Sequence, residues 1–336
     1  MLKRKSACFG AFPVIAALLC GLFSCNGSKA GQDDRRVVIY TSTEDFRTEH
    51  MEELIKAKFP DYDIVPLERL STGNHAARIK AEGADTEADI ILNLETGYLD
   101  ALQDNFADLS SYDLSAFLPE LVPASKKYLP WDKSSGAIVF NREKLDGLGL
   151  PVPASYDDLL NPAYKGLVSM PNPKSSGTGY MFLVSLVNAW GEDAAFSYFD
   201  RLADNILQFT TSGSGPVNAL IQGEAAIGLG MTLTAVQAIN SRGIPLEMVF
   251  FGEGAPSITT GMAIIKGKDS RPIVREVFEF AMTTLAAEDK ELYCPEPIFK
   301  DQPNAIANYP KSIPYADMSG VYDQDLKARL LERWKY

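Results

Sequence analysis

Three short apolar runs set the frame for this chain: Val37-Val38-Ile39-Tyr40, Tyr62 to Leu67, and Ala88 to Leu92. Runs of this length, rich in β-branched residues, read as buried strands rather than helices. Between them, Phe46, Met51, Leu54 and Ile55 fall at helical spacing over 44–59, and Ala76, Ala77 and Ile79 do so over 74–83. Strand, helix, strand, helix, strand predicts a parallel α/β sheet with right-handed crossovers. A second series starts at residue 166, with strands expected at 166–170, 225–229, 246–251 and 261–265 and helices at 179–190, 193–203 and 234–240. Further helices are expected over 272–287 and 323–334. A strand at 136–140 lies in the first of two passages between the series, near 131–140, and the second passage lies near 248–262. The expectation is an α/β chain of two lobes with two hinge crossings. Residues 36–134 plus 262–336 form one lobe, and 135–261 form the other. Ligands of open α/β sheets bind beyond the carboxyl ends of the strands, and inter-lobe clefts are favoured pocket positions.

The amino terminus carries Lys3, Arg4 and Lys5, then an apolar run from Ala7 to Phe23 that stops at Ser24 and Cys25. That order describes a secretory signal peptide, and the run is short of the roughly 20 apolar residues of a membrane span. Leu22-Phe23-Ser24-Cys25 resembles a bacterial lipobox, with Phe23 bulkier than the residue usual there. The resemblance implies removal of residues 1–24, a lipid on Cys25, and a flexible tether over 25–35 that holds the protein at the cell envelope, on its periplasmic face or at the cell surface. Cys8 and Cys20 would leave with the signal, so Cys294 has no disulfide partner in the mature chain and reads as a buried small hydrophobe.

The formal charge is −12, and loss of three cations with the signal makes it −15. Such an acidic surface argues against nucleic acid as a partner. It leaves anionic solutes open, because backbone N–H groups in a cleft bind anions whatever the net charge. Catalysis has little support in the motifs. The chain has two histidines, His50 and His75, and no HExxH, CxxC, GxSxG or P-loop pattern. Neither an enzyme nor a cofactor is expected.

Tyr156-Asp157-Asp158-Leu159-Leu160-Asn161-Pro162-Ala163-Tyr164-Lys165-Gly166 resembles a segment of type II periplasmic binding proteins. Met170-Pro171-Asn172-Pro173, Gly223-Glu224-Ala225-Ala226-Ile227-Gly228 and Arg275-Glu276-Val277-Phe278-Glu279-Phe280 extend the likeness. It is a resemblance to the extracellular solute-binding family that includes ferric-iron, aminoethylphosphonate, hexose-phosphate and thiamine-phosphate receptors. The resemblance implies a monomeric, two-lobed receptor that closes on a small solute and docks on an ABC permease with its ATPase subunits. A sensor or adhesin built on the same fold is an alternative.

Four polar loops are candidates for the ligand. Ser175, Ser176, Gly177 and Thr178 precede a helix, where free N–H groups and the helix dipole favour an anion; N-capping by Ser or Thr fits the same residues. Ser212, Gly213 and Ser214 form a second such loop, with a surface turn as the alternative. Ser42 and Thr43 follow the first strand, and Thr72 begins a helix. Thr232 and Thr234 fall where ferric receptors of the family carry paired tyrosines, and Glu44 stands near the place of their histidine. Thr hydroxyls do not replace phenolates for ferric iron, so the expected solute is a phosphorylated or phosphonate anion, with iron the alternative and no bound metal expected. Glu95 reads as a solvated loop carboxylate, with contact to a cationic portion of the ligand the alternative, and Tyr40, Tyr98, Trp131 and Tyr180 as core residues or walls for a ring.

Overall fold

The computed structural model describes residues 35–336 apart from Pro66. The expected signal sequence over 1–24, the lipid-bearing Cys25 and the tether up to residue 34 lie outside the described residues.

In the first lobe, β1 (Arg36–Val37), β2 (Ile39–Thr41), α1 (Asp45–Lys58), β3 (Asp63–Ile64), β4 (Glu68–Arg69), α2 (Thr72–Glu82), β5 (Ile90–Glu95) and α3 (Thr96–Ala101) follow in order. Strand β2 runs parallel to β4 and to β5, with Tyr40 opposite Glu68 and Ile91. Every residue of β5 is buried, as a strand covered on both faces requires. Of the apolar run expected as one strand over 62–67, β3 (Asp63–Ile64) is the strand within it, and β4 (Glu68–Arg69) begins beyond its end.

The long strand β6 (Leu129–Asn141) carries the chain into the second lobe. There follow α4 (Arg142–Gly147), β7 (Val168–Pro171), α5 (Gly177–Trp190), α6 (Glu192–Leu202), β8 (Ile206–Thr210), α7 (Gly215–Ile221), β9 (Ile227–Met231), α8 (Thr232–Arg242) and β10 (Leu246–Val249). Strand β11 (Ser257–Ile264) returns to the first lobe, ahead of α9 (Pro272–Phe280), a π-turn at Ala281–Leu285 and α10 (Ala286–Leu292). One sheet order, β4-β2-β5-β11-β6-β9-β7-β8, runs through both lobes. The halves of β6 explain this. Leu129 to Ser135 pair with β11, whereas Gly136 to Phe140 pair with β9. Gly136 marks the switch because a Cβ there would stand 2.8 Å from Phe182 and 2.9 Å from Met181.

Each lobe packs apolar side chains on both faces of its part of the sheet. The final helix α11 (Gln324–Arg333) departs from expectation. The tail, expected within the first lobe, places Val321, Leu330 and Trp334 in the core of the second. Trp334 packs edge-on against Phe199 and Phe209 at 5.2 and 5.7 Å, and Arg333 pairs with Glu192 and Asp193. The chain therefore passes between the lobes once more, beside the Ala255–Tyr315 bridge. Edge strand β8 and helix α3 are absent from the sequence expectation. The half-exposed pattern of β8 lacks the apolar run that marks a buried strand.

Candidate functional site

A cleft of about 430 Å³ lies between the lobes and takes residues from both lobes and from the strands that join them. Among the helices that begin at it, α2 and α5 bring Ser, Thr and Gly to its lining. Helix α2 contributes Ser71, Thr72 and Gly73 from the first lobe, and α5 contributes Ser176, Gly177 and Thr178 from the second. The first N–H groups of a helix have no intrahelical acceptor, and the dipole adds partial positive charge there. Ser71 makes no side-chain cap on α2, so those donors face the cleft side of the helix uncapped. Ser176 does cap α5, accepting from the Gly179 N–H at 3.4 Å. That bond engages one donor and leaves those of Gly177 and Thr178 without an intrahelical partner.

Ser42, at the end of β2, is hydrogen-bonded through its hydroxyl to Nδ1 of His75 on α2 at 2.9 Å. Burial, with the nearby charge of Arg78, lowers the His75 pKa to about 4. The imidazole is therefore neutral near pH 7, and its buried Nε2 has no hydrogen-bond partner. Tyr40 is buried beside it with Arg78 stacked at 4.2 Å.

The cleft floor is a buried ion cluster. Arg47 on α1 is 1 % exposed and holds Asp289 through Nε and Nη2 at 2.7 and 2.6 Å, Asp132 at 2.7 Å and Glu44 at 2.9 Å. Lys290 joins it, 2.6 Å from Asp289 and 3.5 Å from Asp132. Burial alone would lower the Arg47 pKa, but Asp289, Asp132 and Glu44 outweigh it and hold the guanidinium charged. Burial would likewise raise Asp132; Lys290 and Arg47 instead keep it below the ordinary carboxylate range. Cys294 is buried here, its thiol donating to Asp132 at 3.0 Å, and burial pushes its pKa up. A thiol so placed is a packed group rather than a nucleophile.

Of the residues singled out from sequence, Ser42, Thr72, Ser175, Ser176, Gly177, Thr178, Ser212 and Gly213 line the cleft. The second-lobe loops meet closely, since a Cβ on Gly213 would overlap Thr178 Oγ1. Four others fall outside the lining. Thr43 is fully buried, its hydroxyl bonded to that of Thr41 at 2.8 Å. The Thr232 hydroxyl is turned to Ser135 at 2.8 Å, which in turn donates to the buried Glu296. Ser214 is bonded to Ser212 at the start of α7, and Thr234 lies one residue further around α8 than the buried Leu233. Glu95 is corrected too. It is 2 % exposed rather than solvated, and Lys327 of α11 reaches it at 3.2 Å. Trp131 is core, while Tyr98 and Tyr180 line the cleft.

Sequence reasoning missed Arg47, Asn93, Asp132 and Lys327, all in the lining. Asn93 carried a usable signal only in hindsight of its backbone. Its φ of 57° is left-handed, a conformation Asn tolerates better than most residues. The ladder between β5 and β11 shifts register there, and its side chain accepts from Thr260 at 2.6 Å. A bulge at this point re-aims the end of β5, and with it Glu95, into the cleft. Among the described residues, no group of three His, Cys, Asp or Glu side chains is placed to hold a metal ion, and no helix is long and apolar enough to cross a membrane.

Comparison with known proteins gives one family. The profile described as "Bacterial extracellular solute-binding protein" matches residues 89–316. An uncharacterized protein of Haemophilus influenzae is 32 % identical over 266 residues, 76 % of this chain and 74 % of its own length. Iron uptake protein A1 of Synechocystis is 24 % identical over 222 residues, 61 % of this chain and 60 % of that protein. Among solved structures, the periplasmic binding protein AfuA from Actinobacillus pleuropneumoniae, with exogenous fructose-6-phosphate bound, superposes with a TM-score of 0.76 at 25 % identity. It covers 89 % of this chain and 97 % of that one. The chain belongs to the bacterial extracellular solute-binding proteins, as a type II periplasmic solute-binding protein of ABC importers.

Proposed function

We propose that the cleft captures a small phosphorylated or phosphonate solute by hinge closure and delivers it to an ABC permease. One observation carries this reading: helices α2 and α5 start at the same cleft from opposite lobes, each with Ser, Thr and Gly at its first turn. Closure brings two sets of N–H and hydroxyl donors onto one anion, which neither lobe does alone. The carboxylates of the lining do not oppose it, because Glu44 and Asp132 are engaged by Arg47 and Glu95 by Lys327. Lys174 adds an exposed cation at the rim. The likeness to a receptor with fructose-6-phosphate bound supports the same class of solute.

Iron is the second reading, favoured by the likeness to an iron uptake protein. The chemistry of the lining weighs against it. Ferric iron wants phenolate and carboxylate oxygens, yet the carboxylates are paired and burial raises the pKa of Tyr180. The lipid anchor on Cys25 belongs to the same proposal and accounts for retention at the envelope.

Thermal unfolding of the protein, refolded to strip carried-over solute, tests the reading against sugar phosphates, phosphonates, their phosphate-free counterparts and ferric citrate. A true ligand at a hundred times its Kd adds about 2.7 kcal/mol. The expected result is a rise in Tm with a phosphorylated or phosphonate compound that disappears with its phosphate-free form. A rise with ferric citrate alone overturns the proposal in favour of iron. Equal rises with and without the phosphate overturn the role of the two helix starts.

A further inference from the structure

The end of the cleft beside α11 has the makings of a cation site. Glu95, on the first lobe, supplies a carboxylate whose side chain is 3 % exposed. Tyr98, also of the first lobe, and Tyr180, of the second, supply two aromatic faces, and the Tyr180 hydroxyl is buried with no hydrogen-bond partner. A buried carboxylate flanked by aromatic faces is how proteins hold an ammonium, since charge pairing and the ring quadrupoles act on the same cation. Here the cation is the chain's own. Lys327 Nζ stands 3.2 Å from Glu95, 4.7 Å from the centre of the Tyr98 ring and 4.8 Å from that of Tyr180. Lys327 and all three partners line the cleft.

We infer that Lys327 occupies an ammonium site of the cleft from within the chain, and so sets specificity by excluding cationic solutes. Its placement depends on the tail packing that carries α11 onto the second lobe. The ammonium thus arrives from one lobe and the carboxylate from the other, and the pair also holds the lobes together. A cationic ligand entering this end would have to displace a partly buried, paired lysine. An anionic ligand meets an end already neutral. The inference rests on the reading of the cleft as a solute site and adds to it the sign of charge the site rejects.

Lys327→Ala opens the site, and propylammonium is the fragment of lysine that the substitution removes. With propylammonium chloride, the Lys327→Ala protein should show a saturable rise in Tm of roughly 3 °C at ten times the amine's Kd. The wild type should show none beyond that of sodium chloride, and 1-propanol should give neither protein a saturable rise. The double variant Lys327→Ala/Glu95→Gln should lose the response. 1,4-Diaminobutane should bind Lys327→Ala at least tenfold more tightly than wild type. Equal responses to propanol and propylammonium, or equal binding of the diamine by both proteins, overturn the inference. If Lys327→Ala does not fold alone, its refolding yield is compared in propylammonium chloride and sodium chloride; recovery with the amine supports the site, and equal yields overturn it. A cleft that binds no anion at all would leave the propylammonium result intact, so the two proposals fail separately.

Discussion

His75 shows how one buried side chain links the cleft to pH. Its folded pKa of about 4 lies below the ordinary 6.5 because burial disfavours the imidazolium, with Arg78 adding to the effect. Between those values the unfolded chain binds a proton that the native ring refuses. Stability from this residue is therefore fully present above pH 6.5 and is lost as pH falls toward 4. Between pH 7 and pH 5 the loss amounts to about 2 kcal/mol. Urea unfolding of the wild type and of His75→Asn at both pH values should show a smaller pH dependence in the variant by that amount. Equal dependence would place the acid sensitivity elsewhere. Arg47 makes the complementary point. Its three carboxylate partners come from the N-cap of α1, from β6 and from α10, so one guanidinium ties together elements far apart in sequence. Such a buried cluster is costly to break by removing one member, because the others are then left as unpaired charges.

At the scale of elements, α11 matters most. Asp323 caps it, accepting from the N–H groups of Asp325 and Leu326 at 2.9 and 3.0 Å, which fixes where the helix begins. Little of α11 itself is buried apart from Leu330, so its docking depends on Trp334 just beyond its end. Trp334 is 2 % exposed. Trp334→Ala should cost about 3–5 kcal/mol, the usual loss for a large buried aromatic, read as a lower urea midpoint for the second lobe. A loss under about 1 kcal/mol, within the range of surface substitutions, would mean that the tail is held chiefly by the ion pairs of Arg329 and Arg333. Helices α2 and α5 differ in their capping, and the difference has a function in view. A cap on α5 preserves the helix start without a ligand, while the uncapped α2 leaves its donors to whatever enters the cleft.

For the whole molecule, β6, the segment leading into β11 and the stretch through Tyr315 are the three passages between lobes. Glu296 ties the first of these to the third, accepting from Ser135 at 2.7 Å, Tyr309 at 2.8 Å and Tyr315 at 2.9 Å. Burial raises its pKa against these hydrogen bonds, which lower it. A hinge so braced confines motion to a rotation about the crossing strands rather than a loosening of either lobe. Small-angle scattering should record a fall in radius of gyration on titration with the solute, saturating together with the rise in Tm. An unchanged radius at full saturation would mean that the solute enters without closure.

The apolar runs at 37–40 and 88–92 and the helical spacing between them determined the α/β class, because buried strands and amphipathic helices each impose a local period. Ser175 to Thr178 and Ser212 to Gly213 stood out as candidates because Ser, Thr and Gly cluster there before a helix start, and these residues line the cleft, Ser176 also serving as a helix cap. The cluster of Arg47, Asp132 and Asp289 was not legible. Its members are scattered along the chain, and nothing near any one of them names the others. Lys327 reads as a surface residue on a polar helix, and Glu95 as a loop carboxylate. Only the docking of the tail on the second lobe brings them together. Local sequence set the elements and their termini, whereas the pairing of distant charges and the lobe that receives α11 were decided by the shape into which those elements pack.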